Sequence, residues 1–286
     1  MKQIPIYILT LALFTAFMTQ AQWTKGKGNG YYKLSAWYLQ ADQHFTSNGE
    51  IDPNATRGQF NLNLYGEYGL TNSLDIVTYV PFFSRNFQND ILSGTTGEVI
   101  TPGEAINAVG DIDLGIRYGF LKKEGIVASA ELILGLPTGN AKGGSDGSFQ
   151  TGDGEFNQMI RAAVGIPFKL GNTQAYSKSY VGYNNRTEGF SDELRLGTEL
   201  GFKFIDRLWV LGKLDIVESL KNGSLSAQNS QGSIFANNIE FMAAGVEAAY
   251  SFSNKWGVSL NYTSAFRGEI VFAAPSYSAG LFLNVL

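Results

Sequence analysis

Apolar and polar residues alternate with a period of two through most of this chain. The clearest segments are 60–70, 112–120 and 194–204. In the second, apolar side chains occupy every even position from Ile112 to Phe120, while polar residues or glycine occupy the odd positions. Successive side chains of a strand point to opposite faces, so the pattern predicts strands with one apolar and one polar face. Each apolar row reaches the roughly 9–11 residues with which a tilted strand crosses a membrane.

The same alternation recurs about twelve times, and helical periodicity is almost absent. The segment that begins near Ala175 alternates poorly, so its facing is the least defined. The predicted strands begin near Tyr31, Gln59, Leu74, Asp111, Ile126, Phe156, Ala175, Glu193, Leu208, Ile239, Trp256 and Ser276.

The length of each predicted connection depends on whether an even-numbered or an odd-numbered strand precedes it. Short connections follow the even strands, at residues 71–73, 122–125, 169–173, 205–207 and 253–255. Mostly long ones follow the odd strands, at residues 41–58, 86–110, 138–155, 185–192, 221–238 and 265–275. Short turns at one end and long loops at the other are typical of outer-membrane barrels. We therefore predict an all-β fold, a transmembrane antiparallel up-and-down β-barrel of about twelve strands.

Aromatic residues stand at the ends of these strands. Tyr68, Tyr118 and Phe204 come just before short turns, whereas Tyr38 and Tyr262 lie near the opposite ends. Amphipathic rings favour the membrane interface, so the placement predicts two aromatic girdles. A general preference of aromatic residues for strands does not explain why they collect at strand ends.

The N-terminus has the pattern of an export signal. A basic Lys2 precedes the apolar stretch 4–17, and Thr19-Gln20-Ala21 forms a cleavage site with small residues at its first and last positions. The apolar run is shorter than the about 20 residues of a spanning helix. We predict a signal peptide over residues 1–21 and a barrel over residues 22–286. The first strand is predicted to begin near Tyr31, so the residues that precede it are too few for a plug domain.

Even strand number places both termini in the periplasm. The last predicted strand runs to the end of the sequence, where barrel-assembly machinery commonly reads a terminal aromatic residue; here the residue is Leu286. The expected location is an outer membrane of the Gram-negative type, with membrane lipid and the assembly machinery as partners.

Composition agrees with a barrel. Charged residues make up 16% and aromatic residues 13% of the 286 residues, with 34 glycines, and the mean hydropathy is -0.05. These values exclude a helical membrane protein. A net charge of -4 argues against nucleic acid as a partner. The absence of cysteine excludes disulfides, thiolate catalysis and a lipoprotein anchor. No cofactor is predicted.

Charged residues recur on the faces that we assign to the interior. In lipid each would cost a few kcal/mol, so they face water or one another. Two interpretations stay open: a mixed-sign pore lining, or ion pairs that fill a narrow lumen. The candidates are Lys33, Glu67, Asp75, Asp111, Asp113, Arg117, Glu131, Arg161, Arg195, Glu199, Lys203, Lys213, Asp215 and Glu247.

Two other features suggest chemistry without a matching pattern. Loop 138–155 contains Asp146, Asp153 and Glu155, but their spacing is not that of an EF-hand, and its Gly and Ser content favours a flexible surface loop over a calcium site. His44 is the only histidine and would be the base of a lipid-modifying enzyme. No second catalytic partner is apparent, so we predict no catalytic, cofactor-binding or metal site.

Short motifs resemble the meta-pathway phenol-degradation family of outer-membrane β-barrel transporters. They are 110–115 (GDIDLG), 134–139 (LGLPTG), 152–154 (GDG) and 70–75 (LTNSLD) followed by Val80-Pro81. The resemblance covers residues 62–163 in order. It implies passage of small, aromatic or hydrophobic compounds and supplies no binding residues. We therefore expect a channel for small solutes, with a closed structural or surface-binding barrel as the alternative and a lipid-modifying enzyme as a third.

Overall fold

The computed structural model describes residues 23–226 and 232–286. The predicted signal peptide, residues 1–21, lies outside the described residues. The strands are β1 (Gly30–Phe45), β2 (Ile51–Gly69), β3 (Leu74–Gln88), β4 (Ile91–Leu92), β5 (Val99–Thr101), β6 (Glu104–Ala108), β7 (Ile112–Lys123), β8 (Ile126–Leu136), β9 (Asn157–Leu170), β10 (Thr173–Asn185), β11 (Glu193–Ile205), β12 (Leu208–Ser219), β13 (Glu240–Ser251), β14 (Trp256–Glu269) and β15 (Pro275–Val285). In the part of the chain that the structure describes, no helix is long and apolar enough to cross a membrane.

Twelve strands form one closed antiparallel barrel. These are β1–β3 and β7–β15, and each pairs with its neighbours along the chain. Pairing of β1 with β15 closes the ring, so each of the twelve strands pairs with a neighbour on both sides. The architecture is an up-and-down β-barrel, which confirms the predicted fold class and strand count.

Every predicted strand start except one lies within two residues of the observed start. The exception is β2, which begins at Ile51 rather than Gln59, while β1 continues to Phe45. The predicted long loop 41–58 is therefore wrong. The two strands stay paired past a bulge between Ala41 and Gln43, where both faces carry polar residues and the period-two pattern is lost.

The predicted loop 86–110 also contains strands. β4 and β5 pair with each other, and β6 pairs with the last residues of β3. β6 and β7 occupy one position in the barrel, interrupted beside Pro81, which has no N–H to donate. Gly110 N donates to the Pro81 carbonyl at 2.7 Å, and a Cβ at Gly110 would lie 2.5 Å from Pro81 Cγ. Only glycine permits this approach.

The barrel has two distinct ends. At the turn end, the short connections meet and Gly30 of β1 pairs with Val285 of β15. At the loop end lie the long connections. The described chain between β8 and β9 and between β12 and β13 packs there against the strands; Phe45, Ala236 and Ile239 belong to one buried apolar cluster.

The outer face is apolar and the inner face polar, as the alternation predicts. Leu114, Ile116 and Phe120 are exposed on the outside of β7, while Arg117 between them is 2% exposed. Exposed aromatic side chains ring both ends. Those at the turn end are Tyr68, Tyr118, Phe120, Phe168, Phe204, Tyr250 and Phe252, and those at the loop end are Tyr38, Phe82, Tyr183, Tyr262 and Tyr277. An apolar band between two aromatic girdles is the outer surface of a transmembrane barrel.

Candidate functional site: the barrel lumen

A row of charges of alternating sign crosses four adjacent strands. Strand register pairs Asp75 with Arg117, Arg117 with Glu131, and Glu131 with Arg161. Arg117 Nη2 lies 3.4 Å from Glu131 Oε1, and Arg161 contacts Glu131 on the other side. Directly opposed strand positions bring side chains within about 5 Å, so the register itself makes the ion pairs.

Two further residues complete this first network. Glu67 of β2 accepts from Arg117 Nη1 at 3.0 Å and lies 2.7 Å from the ammonium of Lys25. The Tyr65 hydroxyl donates to the same carboxylate at 2.5 Å. Burial of charge in a barrel interior is costly unless each charge finds an opposite one and the remaining hydrogen bonds are made. Here three carboxylates (Glu67, Asp75 and Glu131) are matched by three cations (Lys25, Arg117 and Arg161).

A second network occupies the opposite wall. Glu247 lies between Lys33 at 2.8 Å and Lys213 at 2.5 Å. Lys213 is also 3.6 Å from Glu199, which accepts from the Tyr176 hydroxyl at 2.6 Å. The two networks together place charge on both sides of the lumen and neutralise it locally.

The stretch 23–29, which we call the N-terminal segment, lies across the turn end of the lumen. Lys25 N donates to both oxygens of Asp75, at 3.0 and 3.2 Å. Trp23 packs edge-on against Tyr176 with ring centroids 6.1 Å apart, and a Cβ at Gly165 would lie 3.3 Å from its ring. These few residues enter the lumen although they are too short for a plug domain.

Aromatic side chains fill the space beside the N-terminal segment. We call this group the aromatic cluster; it consists of Tyr31, Tyr176, Leu211, Ala249 and Phe282, with Trp23, Tyr65 and Trp209 packed against it. All of them except Trp23 lie on strands, near the turn end. The turn end of the lumen is therefore filled by protein.

A cavity of about 220 Å³ lies in the loop-end half of the lumen. Its polar wall includes Gln59, Asp113, Asn157, Asn184 and Arg195, and its apolar wall includes Tyr79, Ile133, Met159 and Phe235. Tyr79, Asp113, Gly135 and Asn157 are consecutive cross-strand neighbours on β3, β7, β8 and β9. Gly135 leaves room for this row, because a Cβ there would lie 2.9 Å from Asn157 Cβ and 3.2 Å from Asp113 Oδ1.

Arginines on the cavity wall are held by carboxylates. Arg186 contacts Glu155, lies 2.7 Å from Glu193 and 3.3 Å from Asp153. Arg195 donates through Nε and Nη2 to Glu193 at 2.9 and 2.6 Å. Both guanidinium groups are thus neutralised within the wall.

Asp111 joins the glycine-rich motifs of the sequence. Its two carboxylate oxygens accept from Gly139 N and Asp153 N, each at 2.8 Å, and a Cβ at Gly152 would lie 2.1 Å from Asp111 Oδ1. Thr138 donates to the Gly110 carbonyl at 2.7 Å. Burial, together with the nearby Asp153 charge, raises the pKa of Asp111 to about 7. Hydrogen bonds therefore connect these motifs to one another at the loop end.

The structure places all of the predicted lumen residues at the inner wall, in different roles. The first network takes Glu67, Asp75, Arg117, Glu131 and Arg161; the second takes Lys33, Glu199, Lys213 and Glu247; and Asp111, Asp113 and Arg195 line the cavity. Of the remaining two, Asp215 accepts from the Tyr180 hydroxyl at 2.9 Å, and Lys203 is half-buried in β11 opposite Trp209.

Sequence reasoning missed Lys25, Lys178, Arg186 and Glu193. Lys178 sits in β10 opposite Glu199, in the strand whose alternation was poorest. Lys25 and Arg186 lie outside the strands, so periodicity could not assign them a face. Glu193 was recognised as a strand start, and extension of the odd-numbered inward row of β11 by one residue would have included it.

Neither alternative chemistry gains geometric support. Among the described residues, no three His, Cys, Asp or Glu side chains are placed to hold a metal ion; Asp153 and Glu155 contact Arg186 instead. His44 is 6% exposed, and its Nδ1 has no hydrogen-bond partner among the described residues.

No protein-family model matches the sequence, and no curated protein matches it. Among solved structures, the chain is similar to the COG4313 outer membrane channel from Pseudomonas putida F1, with a TM-score of 0.58 and 15% identity over 90% of this chain and 96% of that chain. It is also similar to the NanC porin (TM-score 0.49, 6% identity, 89% of this chain and 99% of that chain) and to the KdgM porin (0.46, 8%, 88% and 98%). At 15% identity, the first of these comparisons shows a shared barrel fold.

Proposed function

We propose that the protein is an outer-membrane channel that passes small solutes through its lumen. The observation that carries the proposal is the contrast between an apolar outer band and a charged inner wall with a cavity of about 220 Å³. A barrel that served only as a membrane anchor would gain nothing from an unfilled, polar space in its interior. The turn end and both termini face the periplasm in this proposal, and the loop end faces the exterior.

Small aromatic or hydrophobic compounds are the solutes we propose. The sequence resemblance to the meta-pathway phenol-degradation family supports them, and so do the apolar side chains of Tyr79, Ile133 and Met159 on the cavity wall. Lipid surrounds the apolar band, and β15 supplies the terminal strand that barrel-assembly machinery would engage.

Displacement of the N-terminal segment would widen the turn end, because it removes Trp23 from beside the aromatic cluster. Side chains of the segment contact the inner wall through the Lys25–Glu67 ion pair and the Trp23–Tyr176 contact. Its backbone is held by the hydrogen bonds from Lys25 N to Asp75 and from Gly28 N to the Gly69 carbonyl.

Planar bilayer recordings test the proposal. We expect discrete channels from the purified protein and a several-fold larger conductance from a variant with both Trp23→Ala and Lys25→Ala. Lys27→Ala is the matched control, because the Lys27 side chain is exposed in the same segment. Silence of both the unmodified protein and the double variant would contradict the channel.

The second candidate is a closed barrel without transport. The filled turn end favours it, because the aromatic cluster and the first network leave Arg117 2% exposed and Leu211 2% exposed. This candidate predicts bilayers that stay silent for every variant of the N-terminal segment.

A further inference from the structure

We propose that the loop-end cavity is a binding site for a small organic cation that carries a primary ammonium, an apolar body and a second hydrogen-bond donor. The inference rests on the proposed function in so far as the bound molecule is a solute of the channel. It names the charge of that solute, which the fold and the sequence resemblance leave open.

Charge on the cavity wall is the first support. Four carboxylates line the cavity, from Asp111, Asp113, Asp153 and Glu193, against the two guanidinium groups of Arg186 and Arg195. Both guanidiniums are engaged by Glu155 or Glu193. The unmatched charge of the wall is therefore negative, and a low-dielectric cavity strengthens its attraction for a cation.

Asp113 is the acceptor for the ammonium. Within the described residues its carboxylate forms no ion pair, unlike Glu67, Glu131 and Glu247 of the two networks. Arg195 and Arg161 act on Asp113 only from beyond ion-pair distance, and they contact Glu193 and Glu131 instead. A partly buried carboxylate without a cation in contact is costly in a protein interior. A cationic ligand would supply the missing partner.

Asn184 supplies a second, independent indication. Its Nδ2 donates to Asn157 Oδ1 at 2.9 Å and to Glu193 Oε2 at 3.2 Å, and Asn157 Nδ2 donates in turn to Asp153. Carboxylates at both ends of this chain fix the orientation of each amide. Asn184 is 3% exposed, yet its Oδ1 has no partner among the described residues.

Gln59 repeats this arrangement on the other side of the cavity. It is 1% exposed and its Oε1 also lacks a partner among the described residues. A buried acceptor without a donor costs about 1–3 kcal/mol. The guanidinium donors of the wall are bound to Glu193, whereas two buried acceptors at separate points have no donor among the described residues. The wall therefore calls for a ligand with donors at more than one position.

The size and the apolar wall define the body of the ligand. A cavity of about 10–15 Å³ holds one water molecule, so the cavity of about 220 Å³ admits a small organic molecule. Tyr79, Ile133 and Met159 provide apolar and aromatic contact. An aromatic amine such as tyramine has the required ammonium, ring and second donor.

Calorimetric titration of the purified protein in detergent with tyramine tests the site. We expect saturable binding that Asp113→Asn weakens at least about tenfold, since the amide keeps an acceptor oxygen but loses the negative charge that strengthens the hydrogen bond to the ammonium. Asn184→Leu weakens it as a second, independent variant. Asp215→Asn is the matched control: it is another inward carboxylate without an ion pair in the described chain, and it lies outside the cavity wall.

The anion 3-(4-hydroxyphenyl)propanoate, with the same phenol ring, should not bind. Binding of this anion as tight as that of tyramine, or equal tyramine affinity for the protein and for Asp113→Asn, would overturn the inference. Heat-modifiable gel migration shows that each variant is folded.

Bilayer conductance of the same preparation separates the two proposals. Channels without tyramine binding overturn the cation site and leave the channel standing. Tyramine binding to a barrel that is silent in all variants overturns the channel and supports the site.

Discussion

The two ends of the lumen use the same kinds of residue, and both contain ion pairs, but they differ in whether a cavity and unpaired polar groups remain. At the turn end, Glu67, Glu131 and Glu247 each contact two cations, and the aromatic cluster fills the remaining space. At the loop end, Asp113 faces a cavity, and among the described residues it has no ion pair and Asn184 Oδ1 has no hydrogen-bond partner. The difference indicates that an inward charge serves stability where register gives it a partner, and is available to a solute where register does not.

Removal of the central cation of the turn end should have the largest effect. Arg117→Ala leaves Glu67, Asp75 and Glu131 with less opposing charge, and loss of one partner of a buried pair costs about 3–5 kcal/mol. Urea unfolding in lipid vesicles measures the loss of free energy of unfolding. Arg267→Ala is the control, since that side chain is 62% exposed at 4.0 Å from Glu218 and should cost at most about 1 kcal/mol. Equal losses for the two variants would contradict the contrast between the ends.

The sequence was sufficient to predict the barrel because the fold depends on a one-dimensional pattern. Alternation assigned Arg117 and Glu131 to the inner face, and strand starts were accurate where the strand crosses the apolar band. Beyond the band, both faces of the β1–β2 hairpin are polar, so the alternation of apolar and polar residues is absent and does not predict a strand at Ile51.

The division between network and cavity could not be predicted in the same way. It depends on which positions stand opposite each other, and a shift of one residue moves every side chain to the other face. It also depends on residues outside the strands, such as Lys25 and Arg186. The glycine-rich motifs were visible in the sequence, but their meeting at Asp111 is a tertiary property.

At the loop end, Arg186→Ala should have a smaller effect than Arg117→Ala. It removes charged hydrogen bonds to Glu155 and Glu193, each worth about 1.5–3 kcal/mol, at a site nearer to water. The loss should be local: faster proteolysis of loop 138–155 with little change in global unfolding. A global loss as large as that of Arg117→Ala would show that the two ends are not independent.

The stability of the protein should also depend on pH, through the titration of Asp111 at the loop end. The pKa of Asp111 is raised to about 7, so between about pH 4 and pH 7 the folded protein binds a proton that the unfolded chain has released. The contribution of Asp111 to stability is therefore fully present at low pH and is lost as the pH rises through 7. Melting temperatures at pH 5 and pH 8 measure this, and Asp111→Asn should reduce the difference. An unchanged difference in the variant would assign the titration to another group.

The smallest effect is expected for an ion pair at the outer rim. Lys221 lies 2.9 Å from Glu269 and 3.2 Å from Glu240 but is 54% exposed. Exposed pairs contribute about 0.2–1 kcal/mol, so Lys221→Ala should change the free energy of unfolding by no more than that. A loss above 2 kcal/mol would mean that rim contacts, rather than the turn-end networks, hold the barrel closed.

Thiol accessibility tests the contrast between the two ends most directly, because the protein contains no cysteine and single substitutions report without background. Asn157→Cys lies on the cavity wall, and Ala249→Cys lies in the aromatic cluster, where the alanine is 5% exposed. With a small water-soluble thiol reagent, we predict rapid modification of Asn157→Cys and modification of Ala249→Cys at least tenfold slower. Equal rates at the two positions would contradict a lumen that is open at one end and filled at the other.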